Sequence, residues 1–235
     1  MAGRHGGALA LHYKRPALGR PQNDWGGQAY RHDRPGGGGQ PDRHPQYPPA
    51  GNSLGDWLTR EQAKELLAVP DRSTLKGKRD YVILALLVGC ALRRNELAEL
   101  DIATIQQREG RWVLADLEGK GRRIRTVAIP IWVKQGINAW MTAAGIEDGR
   151  LLRSVSKSGK INRDTLRDWA VWSVVEQSSK QIGIERFGAH DLRRTCAKLC
   201  RKNGGDLEQI KFLLGHSSIQ TTERYLGRSR ISRSR

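Results

Sequence analysis

A mainly helical α+β domain with one small antiparallel sheet, occupying residues 54–227, is predicted by three observations. Apolar residues recur at helical spacing over most of the chain beyond position 54. Between Asp101 and Pro130 the pattern switches to alternation rich in β-branched residues. Seven of the nine prolines fall in the first fifty residues, together with the run RPGGGGQPDRHPQYPPAG. That composition has too little apolar surface to offset the entropy of ordering the backbone, so residues 1–53 are expected to be disordered. Residues 228–235 form a short basic tail.

The elements follow in order. LTREQAKELLAVP has Thr59 with Gln62 three residues on, a capping-box pattern, and Pro70 as a stop. YVILALLVGCAL, Tyr81 to Leu92, is apolar nearly all round and reads as a central buried helix that breaks near Gly89 to Ala91. A short helix follows from Arg93. IATIQQ, RWVLADL and RIRTVAIP read as strands, the last two joined by a tight turn in EGKGRR with Lys120 at its tip. Helical spacing resumes in IWVKQGINAWMTAAG, RDTLRDWAVWSVVEQSSKQIG, HDLRRTCAKLCRKNGG, DLEQIKFLLGH and SIQTTERYLG. Trp169 and Trp172, three apart on one of these helices, are expected to pack in the core.

Composition narrows the function. With 41 Lys+Arg against 24 Asp+Glu, the 235-residue chain carries a formal charge of +17. A domain this cationic repels itself unless a polyanion is near, which favours nucleic acid over an anionic membrane surface. The longest apolar run is too short to span a bilayer, and no signal-peptide core precedes it, so a cytoplasmic, nucleoid-associated protein is expected. The three cysteines form no CxxC pair; Cys196 and Cys200, four apart, are expected in the core. Neither histidine beyond position 52, His190 or His216, has a second ligand at metal-binding spacing, so no metal and no cofactor are expected.

The chemistry-bearing residues converge on one reaction type. His190 and Arg193 share a helix face. Arg93 precedes Glu96 by three residues, placed to have its guanidinium held. Lys120 rides a hairpin turn, His216 follows Gly215 at a helix end, and Tyr225 lies on the last helix. Phosphoryl transfer needs an attacking oxygen, a proton donor for the leaving oxygen and cations around the remaining oxygens. Tyr225 can attack, Lys120 can protonate, and the arginines and histidines can hold charge; the acceptor that suits the net charge is double-stranded DNA. Taken singly, each residue has a plainer reading: Tyr225 a packing residue, His216 a helix-end histidine, Lys120 a turn lysine. Arg94 and Arg194 are expected to be solvated charges, Glu96 structural and Asp191 a helix-start residue.

At these positions the sequence resembles the tyrosine recombinases, or phage-type integrases. The matching pieces, in order, are Arg93-Arg94-Asn95-Glu96-Leu97, EGKGRRIRTVAIP around Lys120, HDLRRT, and LGHSSIQTTERYL with Tyr225 nine residues after His216. The resemblance covers residues 56 to 227. It implies a metal- and ATP-independent reaction in which Tyr225 forms a 3′-phosphotyrosyl link. Arg93 and Arg193 would bind the non-bridging oxygens. Lys120 would act as general acid, His190 would assist proton transfer and His216 would donate to the phosphate. It also implies strand exchange within a homotetramer on DNA, although the ten residues after Tyr225, LGRSRISRSR, would bury little in a partner. Most full-length members carry a helical DNA-clamp domain where this chain has its Gly/Pro-rich segment, so the chain reads either as a short member or as a truncated one, and a truncated member is expected. The alternatives are a DNA-binding remnant and a type IB topoisomerase-like activity; no membrane and no small-molecule substrate is implied.

Overall fold

The computed structural model describes residues 57–119 and 123–227. Lys120, the segment 1–53 and the tail 228–235 lie outside the described residues.

Helix α1 (Arg60–Ala68) starts as its sequence predicts: Gln62 N–H donates to Thr59 Oγ1 at 3.2 Å and Thr59 N–H donates to Gln62 Oε1 at 2.9 Å. Helix α2 (Leu75–Cys90) is capped by Thr74, whose Oγ1 accepts from Gly77 N–H. Every residue from Val82 to Val88 is buried, so α2 has no solvent face over that stretch. Helices α4 (Ile131–Ala144), α5 (Asp168–Gln181) and α6 (Ala189–Lys202) pack around it together with α1. Two glycines let α2 and α4 approach: a Cβ on Gly89 would stand 2.7 Å from Val133 Cγ2, and one on Gly136 2.6 Å from Tyr81 Cε1. Trp140 of α4 is fully buried, with its indole N–H donating to Leu151 O at 2.8 Å, so its polar edge is satisfied inside the core.

The expected break after the central helix falls at Ala91, which adopts a left-handed backbone with φ 50°. Helix α3 (Arg94–Ala98) follows three residues later. The expected strand at IATIQQ is shorter than its pattern: Ile102–Thr104 is a 3₁₀ turn, capped by Asp101, and β1 begins at Ile105. Strands β1 (Ile105–Arg108), β2 (Arg111–Gly119) and β3 (Arg123–Ala128) form an antiparallel sheet in the order β1-β2-β3. A bulge between Leu114 and Leu117, with Asp116 at φ 56°, lets both leucines face inward although they are three apart. Opposite them on β3 stand Val127 and Arg125, so Arg125 occupies an inward register position.

The helix expected from Arg163 instead begins at Asp168, because Ile161–Arg163 forms strand β5 and pairs with β4 (Ser154–Val155). Trp169 is exposed and Trp172 half-buried, contrary to core packing: the α5 stripe that faces inward is Val171, Val174, Val175 and Ser178. Helices α7 (Leu207–Leu214) and α8 (Ile219–Leu226) close the domain. Beneath them a small second core gathers Ala91, Cys196, Ala197, Ile210, Leu214 and Leu226, with the half-buried Cys200 and Tyr225 against it. Among the described residues, no helix is long and apolar enough to cross a membrane.

The segment before α1 is tied to α6 by one buried hydroxyl: Thr195 Oγ1 accepts from Leu58 N–H at 3.0 Å and donates to Asp191 O at 2.8 Å. Thr195→Val keeps the shape and strands that amide, so it is expected to cost about 1–3 kcal/mol. A lowered urea midpoint with unchanged slope is the check.

Candidate active site

The C-terminal end of α7 gathers three guanidinium groups. Gly215 turns the chain with φ 59°, a left-handed cap that leaves the last carbonyls open to partners. Leu213 O accepts from Arg125 Nε at 3.2 Å. Leu214 O accepts from Arg93 Nη2 at 3.2 Å and also from Arg193 Nη2. Arg193 Nη1 donates to Ala91 O, so the left-handed break after α2 supplies a ligand for the same cluster. The negative end of the helix dipole suits this gathering of cations.

One carboxylate completes the arrangement. Glu96 Oε1 accepts from Arg93 Nη1 at 2.6 Å and Arg125 Nη1 at 2.9 Å. Oε2 accepts from Arg125 Nη2 at 2.7 Å and Arg93 N–H at 2.8 Å. Burial works to raise its pKa, but the bonds from Arg125 and Arg93 outweigh it and hold the carboxyl down at about 2. Arg193 is buried, and desolvation, with Arg93 nearby, lowers its guanidinium to about 10.

Tyr225 stands between the two histidines. Its ring meets His190 edge-on at 5.4 Å and His216 at 5.1 Å between centroids, and its hydroxyl donates to His190 O at 3.4 Å. Arg194 is half-buried, with its guanidinium 5.0 Å from the centroid of the same ring, so it is not the solvated charge expected of it. His216 Nδ1 is bonded at 3.1 Å to Oγ1 of Thr222, which is fully buried. Asp191 serves as expected, with its carboxylate accepting from Gly188 N–H at the start of α6. Burial, then Arg194, lowers the His190 pKa; burial, then Arg193, Arg93 and His190, brings His216 down to about 4. Burial raises the Tyr225 phenol, against the pull of Arg193 and Arg194. The resting site therefore holds neutral imidazoles and a protonated phenol among arginines at neutral pH.

Beside this group opens a cleft of about 440 Å³, lined by Arg93, Gly119, Arg123, Lys211, Phe212 and His216 among others. Gly119 closes in on the cluster: a Cβ there would lie 3.1 Å from Arg93 Nη1. Five of the six sequence-predicted residues, Arg93, His190, Arg193, His216 and Tyr225, are thus brought together, and Lys120 lies outside the described residues. Sequence reasoning missed Arg125, Arg194 and Thr222. For Arg125 a signal existed, since it alternates in register with Val127 and Ile129 and so belongs to the inward side of its strand.

Comparison with known proteins places the chain in a family. Residues 56–230 match the model of the phage integrase family. The chain belongs to that family. Among curated proteins it is 33% identical over 180 residues to the tyrosine recombinase XerA of Thermococcus kodakarensis, covering 76% of this chain and 60% of that one. It is 31% identical over 170 residues to a tyrosine recombinase of Synechococcus elongatus, covering 71% and 52%. The fold is that of the XerH site-specific recombinase in its pre-cleavage complex with difH substrate: TM-score 0.61, 22% identity, 75% of this chain and 52% of that one. The chain thus spans about half to three-fifths of the length of the curated relatives it matches.

The low imidazole pKa values set a pH dependence. Between the unfolded value near 6.5 and the folded value of about 4, the unfolded chain binds a proton at His216 that the folded chain does not, so stability falls as pH drops through that window. The Glu96 contribution has the same sign: it is present above about 4.5 and is lost as pH falls toward 2. The urea midpoint is expected to decline from pH 6.5 to 4.5, with a shallower decline in His216→Asn. A flat profile in the parent protein would contradict the burial of neutral histidine.

Proposed function

We propose that residues 54–227 are the catalytic domain of a site-specific tyrosine recombinase that cuts and rejoins duplex DNA through Tyr225. The phenol oxygen attacks the phosphorus of one strand as its proton passes to the neutral imidazole of His190. The bond to the 5′-oxygen breaks, leaving a 3′-phosphotyrosyl link and a free 5′-hydroxyl, and Lys120 donates the proton that the leaving oxygen needs. Arg93 and Arg193 hold the non-bridging oxygens, and His216 donates to them once protonated or in the tautomer with Nε2–H. Reversal of the step by a second 5′-hydroxyl joins a new strand, so the bond energy is kept and no nucleotide is consumed.

The observation that carries this reading is the position of Tyr225, between His190 and His216 and beside Arg193 and Arg194 of α6. A tyrosine that only packs has no need of two imidazoles and a guanidinium on its ring. The relatives named above act, by their names, as recombinases, and complete exchange by a homotetramer follows from the same reading.

Covalent capture tests it. The protein is mixed with nicked duplex oligonucleotides in EDTA, denatured, and probed for DNA attached to protein. Attachment is expected in the parent and absent in Tyr225→Phe, which should still bind DNA; attachment that persists in the mutant would remove Tyr225 as nucleophile. Relaxation of plasmid without joining of new partners would favour a topoisomerase-like activity instead.

Affinity for duplex DNA is expected to fall steeply with salt, because a surface this cationic binds by releasing counterions. Replacing Arg123 and Lys211 with alanine should lower the slope of log affinity against log salt by about 1–2. An unchanged slope would mean that the cleft does not meet phosphate.

A further inference from the structure

We propose that Arg125 is a positioning residue: it occupies Glu96 so that Arg93 keeps its charge for the scissile phosphate. The inference rests on the strand-cleavage reading above. Glu96 and Arg93, three apart at the start of α3, would by themselves make a neutral ion pair, and a neutralised Arg93 would stabilise a developing phosphate charge poorly.

The geometry shows how this is avoided. The Glu96 carboxylate accepts four hydrogen bonds, two at each oxygen. Arg125 takes one position on each oxygen with both terminal nitrogens, the fork geometry that binds carboxylate best. Arg93 is left a single side-chain bond, from Nη1 to Oε1; its other bond to Glu96 comes from the backbone N–H. Exposure divides the two arginines in the same way. Both line the cleft, but the Arg125 side chain is 8% exposed, matching the 8% of Glu96, whereas that of Arg93 is 33% exposed. The inward register of β3 and the bond from Arg125 Nε to Leu213 O hold the fork in place. One anion therefore serves two cations, and the exposed one carries the surplus charge.

Two readouts on the full chain test this. The first follows the Glu96 side-chain carboxyl by carbon NMR without DNA. In Arg125→Met its titration should move up from about 2, and in Arg125→Lys it should lie between the two. The second is single-turnover formation of the covalent complex on nicked duplex. Arg125→Met should slow it about tenfold or more, with DNA affinity nearly unchanged. Adding Glu96→Gln to Arg125→Met should recover much of the rate, because a neutral amide no longer competes for Arg93. A rate in the double variant no better than in Arg125→Met, or an unchanged rate in Arg125→Met, would overturn the proposal. If Arg125→Met does not fold, Arg125→Lys carries the test, with an intermediate rate that Glu96→Gln raises. Absence of covalent complex in the parent would sink the cleavage reading, while the carboxyl titration would still report whether Arg125 holds Glu96.

Discussion

Three guanidinium groups meet at the end of α7, and like charges this close must be held by something stronger than packing. The carbonyls of Leu213 and Leu214 and the single carboxylate of Glu96 do this. Each depends on a backbone feature elsewhere. Gly215 frees the carbonyls by ending α7 in a left-handed turn, Ala91 ends α2 in the same way and offers its own carbonyl to Arg193, and the β2 bulge keeps the hairpin in register with Arg125 facing in. The long buried helix α2 supports both ends, since its last turn delivers Ala91 and Arg93 and its body anchors α6. A loss at any of these points would release a cation into a site already in surplus.

That surplus explains the electrostatic state of the other groups. Histidines beside arginines and out of water lose their protons, and a phenol out of water keeps its own. A phosphodiester in the cleft would reverse part of this by bringing negative charge to the arginines. The basic composition and the arginine-rich site thus point the same way, toward an anion.

The sequence made much of this legible. The Thr59 capping box, the burial of Val82 to Val88, the break beside Ala91 and the pairing of β2 with β3 all follow from local rules, because caps, glycine positions and apolar periodicity act over a few residues. The short β4–β5 hairpin was not legible, since two or three residues per strand give no period to detect, and the helical pattern of α5 ran backward over it. Trp169 misled for a related reason: spacing from Trp172 shows that two residues share a face but not which way the face points. Arg93, His190, Arg193, His216 and Tyr225 were recognisable by type and order. Arg194 was not, because in a chain with 41 Lys+Arg an arginine is distinguished mostly by what it touches, and Arg125 was marked only by its strand register with Val127.

The helix that carries Tyr225 has eight residues, fewer than an isolated helix needs to persist in water. Its order comes from what it packs against: Leu226 in the small second core, Thr222 against His216, and the Tyr225 ring among His190, His216 and Arg194. A helix this short depends on α6 and α7, against which it packs, to stay formed. The Tyr225 ring keeps its place only while α8 stays seated, so the geometry around it is as firm as that packing and no firmer.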